Sequence, residues 1–191
     1  MDAAFLHAFD HAMLYEVGGF WNSNDPDVIT GRMDTRERQR KVGYVNIPAD
    51  RGGETKYGIA KNANPSVYIR GLNLDQAMDI YFQKYWLRGY CNLIPYPLST
   101  IHFDGCANHG PSRACKFLQR AAGVTEDGII GRQTVAAIHS KGQAGVIRNL
   151  AEIRTDFYQS IVSRNPSQRI FLKGWLRRID EVEDYSLSQL E

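Results

Sequence analysis

The sequence predicts a mainly α-helical protein with one small antiparallel β-element in its first third. Three observations predict it. Residues 3–15 place Phe5, Phe9, Ala12 and Met13 at offsets of 0, 4, 7 and 8, the apolar stripe of an amphipathic helix. Residues 42–60 hold two short β-type runs, VGYVNI and TKYGIA, joined by the turn ADRGGE. Beyond residue 60 the apolar spacing is helical, with proline and glycine where helices start and stop.

Taken in order, the first helix stops at Gly18-Gly19, because glycine takes the left-handed cap without a steric penalty. Glu16 therefore sits at a helix end, where a carboxylate can look into a cleft. Residues 21–43 carry five basic and four acidic side chains with little apolar periodicity, which reads as an inserted loop or irregular hairpin. Strands are expected at 42–47 and 55–60. Asn73 or Asp75 can cap a helix over about 74–87 bearing Ala77, Ile80, Tyr81 and Tyr85, and Gly89 ends it. Pro95 and Pro97 bracket a loop. Helices follow at about 98–108 and 111–122, the second with Pro111 in its first turn and Gly123 at its stop. A turn-rich link centred on Asp127-Gly128 leads to helices at about 132–140 and 143–163. Pro166 opens a short helix, and a last one at about 172–184 turns Leu172, Trp175, Leu176 and Ile179 inward. There is no internal repeat.

The 191 residues suffice for one large domain or two small ones. Hydrophobic residues at 43% and charged residues at 23% exclude a disordered, collagen-like or coiled-coil chain. No apolar run approaches the roughly 20 residues of a membrane span, so no stable membrane insertion is expected. Asp2 and Asp10 argue against a signal peptide. Cys91, Cys106 and Cys115 are odd in number and form no Cys-x-x-Cys pair, so they read as reduced, partly buried thiols of a protein made in a cytoplasm. Neither a disulfide framework nor a zinc site is expected. The net charge of +2 is uneven: residues 131–179 carry nine basic and two acidic side chains, and residues 180–191 carry five acidic and no basic ones. A basic segment of this kind suits an anionic partner or a solvated helical face. No nucleic-acid motif accompanies it, so nucleic acid is not the expected partner.

A helix-end carboxylate followed by a β-turn with a second carboxylate suits glycoside cleavage. One carboxyl must hold a proton for the leaving oxygen, and the other must ionise to orient water or stabilise positive charge on the sugar. Glu16, near Phe20 and Trp21, is the candidate acid. Asp50 in the glycine-rich turn is the candidate ionised partner, and the Thr55 hydroxyl is placed to hold a water. The plainer readings are a solvated helix-end side chain for Glu16 and a turn cap for Asp50. His7 and His11 share a helical face at metal-ligand spacing but lack a third ligand, so they read as a surface or helix-packing pair. Cys106 with His109 or His139 lacks the local signature of a cysteine peptidase. Tyr57, Tyr81, Tyr85 and Trp86 read as core aromatics, some of which could stack on pyranose faces. Trp175 reads as packing for the last helix.

The segment VNIPADRGGETKYGI (45–59), with Glu16-Val17-Gly18-Gly19-Phe20 upstream, resembles glycoside hydrolase family 108, which includes bacteriophage and prophage endolysins acting as N-acetylmuramidases. The positions carrying the resemblance are Val45, Asn46, Pro48, Asp50, Gly52, Gly53, Thr55, Gly58 and Ile59, followed by Ala77 to Trp86. The C-terminal half resembles the predicted peptidoglycan-binding domain that accompanies the family, through Phe103-Asp104, Asn108, Gly110, Ala114, Leu118-Gln119, Asp127-Gly128, Gly131, Thr134 and Phe171 to Trp175. One departure stands out: about 24 residues separate the Gly-Gly-aromatic motif from Val45-Asn46, where the family pattern runs on almost directly.

The resemblance implies an α-rich, lysozyme-like fold, with a catalytic region over 1–97 (insertion about 21–43) and a helical peptidoglycan-binding-like region over 98–191. It implies a catalytic Glu16, with Asp50 and Thr55 beside it, and Tyr57, Tyr85 and Asn108 as candidate substrate contacts. The implied activity is hydrolysis of the β-1,4 bond from N-acetylmuramic acid to N-acetylglucosamine, by a monomer without cofactor or metal. The implied setting is the cytoplasm of a lysing host, with release to the wall through a phage-made membrane lesion. Two rivals stand: a lytic transglycosylase using the same Glu, and a non-catalytic wall-binding or virion structural protein. The insertion is expected at the cleft edge, touching substrate or acting as a lid, with Arg36, Arg38, Arg40 and Lys41 facing anionic wall polymer.

Overall fold

The apolar stripe at the N-terminus forms α1 (Ala3–Glu16), and Phe5, Phe9, Ala12 and Met13 are all buried. Asp2 starts it, its carboxylate accepting the Phe5 N–H at 2.8 Å. The computed structural model describes residues 1–46 and 53–190; Pro48, Asp50 and Gly52 lie outside the described residues. The described chain divides into two compact units, one of residues 9–82 and one of residues 1–8 with 83–191. Among the described residues no helix is long and apolar enough to cross a membrane.

In the unit of residues 9–82 the insertion is not irregular. It forms α2 (Pro26–Thr30) and α3 (Arg36–Lys41). The Asp25 side chain caps α2 through the Asp27 N–H, and Thr35 caps α3 through the Arg38 N–H. Arg38 pairs with Asp27 (3.0 Å) and Asp34 (2.7 Å), and Lys41 with Asp25 (2.8 Å) and Asp27 (3.4 Å). Half of the basic cluster is therefore neutralised inside the insertion. Val28 anchors it in the core.

The β-element also differs from the expectation. Among the described residues the run at 42–47 contributes one bridge, Val45 to Thr55. The run at 55–60 is itself the hairpin: β1 (Thr55–Lys56) pairs antiparallel with β2 (Ile59–Ala60), in register Lys56 to Ile59. Tyr57 (φ 51°) and Gly58 (φ 71°) form its tip, the positive-φ pair that a two-residue hairpin needs to match strand twist. Asn73 and Gln76 then make a reciprocal capping box for α4 (Leu74–Tyr81).

The expected single helix over 74–87 changes pitch. After α4, Phe82–Leu87 is π-helical, and Cys91–Leu93 is a 3₁₀ turn. In the second unit, Phe5, Trp86 and Phe103 pack edge-to-face with centroids 5.5–5.9 Å apart. The helices α5 (Leu98–His109), α6 (Pro111–Ala122), α7 (Arg132–Lys141), α8 (Gln143–Arg164) and α9 (Arg169–Ser188) follow, all close to their expected places. They close on a core that includes Leu98, Ile101, Leu118, Ile138, Leu150 and Ile179. Buried Gln119 fixes the 124–131 link, donating to Asp127 and to the Ile129 carbonyl while accepting the Gly128 N–H. Asp104 on α5 is buried between Arg154 of α8 and Arg178 of α9.

Candidate active site

Glu16 ends α1, and Gly18 (φ 76°) and Gly19 (φ 83°) turn the chain away from it. Its side chain lies across the hairpin tip. A Cβ on Gly58 would come within 2.8 Å of Glu16 Oε2 and 2.5 Å of the Tyr81 hydroxyl. Only glycine therefore lets the tip approach the carboxylate, and it is also the residue that φ 71° favours. Tyr81 donates to the Tyr57 carbonyl at 3.1 Å, so the hydroxyl beside Glu16 is tied to the same tip. Glu16, the hairpin tip and the end of α4 thus meet at one point.

Gly58→Ala is expected to lose activity and stability together. The left-handed backbone alone costs a non-glycine residue about 1–2 kcal/mol, and the new methyl displaces Glu16. Gly123→Ala is the control, since Gly123 is left-handed (φ 82°, ψ 32°) and nothing lies within 4 Å of an added Cβ. Thermal midpoints and wall-clearing rates of the two variants separate strain from displacement. Equal behaviour of both variants would refute the placement.

The floor beneath this point is unusually polar for a core. Lys56 is buried and its ammonium donates to the carbonyls of Gly31 (2.8 Å), Arg70 (3.1 Å) and Leu72. Burial pushes its pKa down to about 8. Three carbonyls from chain positions far apart are thereby held by one side chain, which binds the insertion to the hairpin. Tyr57 is also buried and donates to the Val28 carbonyl, and burial pushes its phenol pKa up. Its ring builds the floor.

The remaining expected residues fall in different places. Thr55 is half-buried one pair back from the tip, its hydroxyl donating to the Gly53 carbonyl at 3.3 Å. Asp50 lies outside the described residues. Phe20 is 57% exposed. Trp21 is half-buried, its indole donating to Asp10 at 3.0 Å, with Phe9 and Tyr57 edge-on to its ring. Tyr85 is half-buried in the π-helical turn, and Asn108 is exposed near the end of α5, donating to the Asp104 carbonyl at 2.8 Å. Both belong to the second unit. Sequence reasoning passed over Lys56, whose partners are 14 to 25 residues away. It also passed over Glu54, which accepts the Tyr44 hydroxyl at 2.7 Å beside β1.

One group of metal-ligating residue types comes together in the second unit. Cys91, His102 and Cys106 are buried, with their ligand atoms within 4.8 Å of one another. His102 Nε2 lies 2.8 Å from the Gly89 carbonyl and 3.6 Å from Cys106 Sγ. Burial pushes the Cys106 thiol well above its usual pKa, which favours the protonated form over the thiolate that binds metal. The ring nitrogen nearest Cys106 is already hydrogen-bonded to the Gly89 carbonyl.

Residues 38–110 match the family described as Glycosyl hydrolase 108, and residues 113–180 match a Predicted Peptidoglycan domain. Glu16 lies upstream of the first match, and its place at the site comes from its contact with the hairpin tip. Among solved structures the chain is similar to that of Brucella abortus SagA, at 29% identity over 76% of this chain and 86% of that one, with a TM-score of 0.65. No curated protein matches the chain. The fold is mainly α and lysozyme-like with a small antiparallel sheet, as the sequence predicts.

Proposed function

Because residues 38–110 match the glycosyl hydrolase 108 family and residues 113–180 match a predicted peptidoglycan domain, we propose that this chain is a muramidase cleaving the β-1,4 bond between N-acetylmuramic acid and N-acetylglucosamine. The observation that carries the reading is the Glu16 carboxyl held at the glycine tip of the hairpin, where a sugar can reach a helix-end acid. In this reading Glu16 gives its proton to the glycosidic oxygen as the bond to C1 breaks. An oxocarbenium-like transition state forms, water adds to C1, and the proton that water gives up restores the acid form of Glu16. Asp50 orients that water or stabilises the charge, and the Thr55 hydroxyl helps to hold it. No step calls for a cofactor.

The test is mass spectrometry of digested peptidoglycan. Hydrolysis adds one water per cut and leaves reducing ends. A 1,6-anhydro product, lacking that water, would overturn the hydrolase and establish a lytic transglycosylase. The lysis setting is part of the proposal and rests on the endolysin resemblance: the enzyme accumulates in the host cytoplasm and reaches the wall through a phage-made lesion. Host cells expressing the chain should therefore lyse only when a membrane-permeabilising protein is co-expressed.

A further inference from the structure

We propose that a cationic cleft at the start of α6 docks the acidic stem peptide of peptidoglycan, an inference that rests on the wall-degrading reading and deepens it. The cleft holds about 520 Å³ and is lined by His109, Arg113, Lys116, Phe117, Arg120 and Glu126, among others. All lie within the second unit.

Its charge is one-sided. Arg113 and Lys116 are exposed, and among the described residues neither makes an ion pair. Arg120 is held by Glu126 through two hydrogen bonds, at 2.7 and 2.8 Å. His109 adds no cation near neutral pH, because burial lowers its pKa to about 3. The cleft thus sets three cations against one carboxylate. The α6 end beside it has the same polarity, with Gly110 supplying no side-chain cap.

The spacing suits a peptide. Arg113, Lys116 and Arg120 recur at three and four residues, so they share a helix face over roughly 10 Å. An extended peptide covers that distance in about three residues. A stem peptide bears carboxylates at neighbouring residues, which matches cations set out in a row. Arg113 is also positioned in advance, its guanidinium stacked 4.9 Å over the Phe157 ring. A fixed guanidinium loses less side-chain freedom when it grips a carboxylate.

Behind the cleft, Phe117 joins an aromatic row that packs on the core and reaches the surface at Phe171. Phe117 and Phe157 have centroids 5.3 Å apart, Tyr158 stacks on Trp175 at 4.7 Å, and Trp175 stacks on Phe171 at 5.8 Å. Phe171 is 49% exposed, so the row ends at the surface. Aliphatic peptide stems and the apolar faces of attached sugars find contact area there, beside cations that take the carboxylates. Trp175 packs against the core, as the sequence reading has it.

The test is calorimetric titration of the intact chain with a synthetic stem peptide bearing free carboxylates, and with the same peptide amidated. Saturable binding is expected, weaker by about tenfold or more for the amidated peptide and for the double variant Arg113→Glu with Lys116→Glu. Arg113→Lys, which keeps the charge and loses the planar fork, should fall between wild type and the double variant. Both sites are exposed, and circular dichroism checks that the variants are folded. Equal affinity for the free and amidated peptides, or for wild type and the double variant, overturns the proposal, as does no binding at all. A chain that binds the peptide as described yet clears no wall supports this site and overturns the enzymatic reading. Clearing without peptide binding does the reverse.

Discussion

Glu16→Gln is expected to lower the rate of wall clearing by about a thousandfold, within the range that a general acid contributes. The substitution changes little else. Glutamine is isosteric, keeps the helix end, and still fits across Gly58 beside the Tyr81 hydroxyl. What it lacks is a proton acidic enough to follow the leaving oxygen. The thermal midpoint should therefore stay near that of wild type, and binding to purified sacculi should persist. Loss of clearing with retained binding separates chemistry from adhesion. If Glu16→Gln clears walls as fast as wild type, Glu16 is not the acid. If wild type and variant both bind and neither clears, the chain is a wall-binding protein that does no chemistry. Glu16→Asp sharpens the result: it keeps the proton but draws it back by one methylene, so a partial loss shows that position matters as well as acidity.

The signals that placed Glu16 at a helix end were local, and that is why they were legible. A stripe of Phe5, Phe9, Ala12 and Met13 defines a helix, and two glycines define where it stops. The C-terminal helices were legible for the same reason, with Pro111 and Gly123 bracketing α6. The β-element was misread because its turn is Tyr57-Gly58, where the common hairpin signal is Asn-Gly; a tyrosine at positive φ is not a turn signal. Tertiary contacts stabilise that turn instead: the Tyr57 hydroxyl on Val28 and the Tyr81 hydroxyl on the Tyr57 carbonyl. The insertion looked irregular because its helices are short and its charges interleaved. Yet Asp25-Pro26 and Thr35 are ordinary helix starts, and the interleaved charges are the ion pairs of Arg38 and Lys41. Lys56 was illegible in principle. A lysine in a short strand reads as surface, and nothing in the chain shows that the carbonyls of residues 31, 70 and 72 converge on it.

The largest expected loss of stability belongs to Asp104. Its carboxylate is buried, as is Arg154, which donates to it from α8 and also to the Ile101 carbonyl at 3.3 Å. Arg178 of α9 donates to its other oxygen at 2.8 Å. Burial alone would raise the Asp104 pKa; the Arg178 and Arg154 guanidiniums outweigh it and hold the pKa at about 2. Asp104→Asn leaves Arg154 buried without its counter-charge, a loss of about 3–5 kcal/mol, measured by urea unfolding at pH 7. Replacing the pair with apolar residues, Asp104→Leu with Arg154→Met, should cost less than the single change, because no unpaired charge then stays buried. The pH dependence has a definite sign. A carboxyl with a depressed folded pKa contributes fully above its unfolded value, here 3.8, and loses that contribution as pH falls toward 2. The gap between wild type and Asp104→Asn should therefore be widest at neutral pH and narrow between about pH 4 and pH 2. A gap under about 1 kcal/mol at pH 7 would mean that the ion pairs do not join α5, α8 and α9. Those helices carry His109, Phe157 and Trp175 of the cleft and its aromatic row. A loosened Asp104 should therefore weaken stem-peptide binding before the chain unfolds, visible as lost affinity for Asp104→Asn at urea concentrations where the wild type still binds.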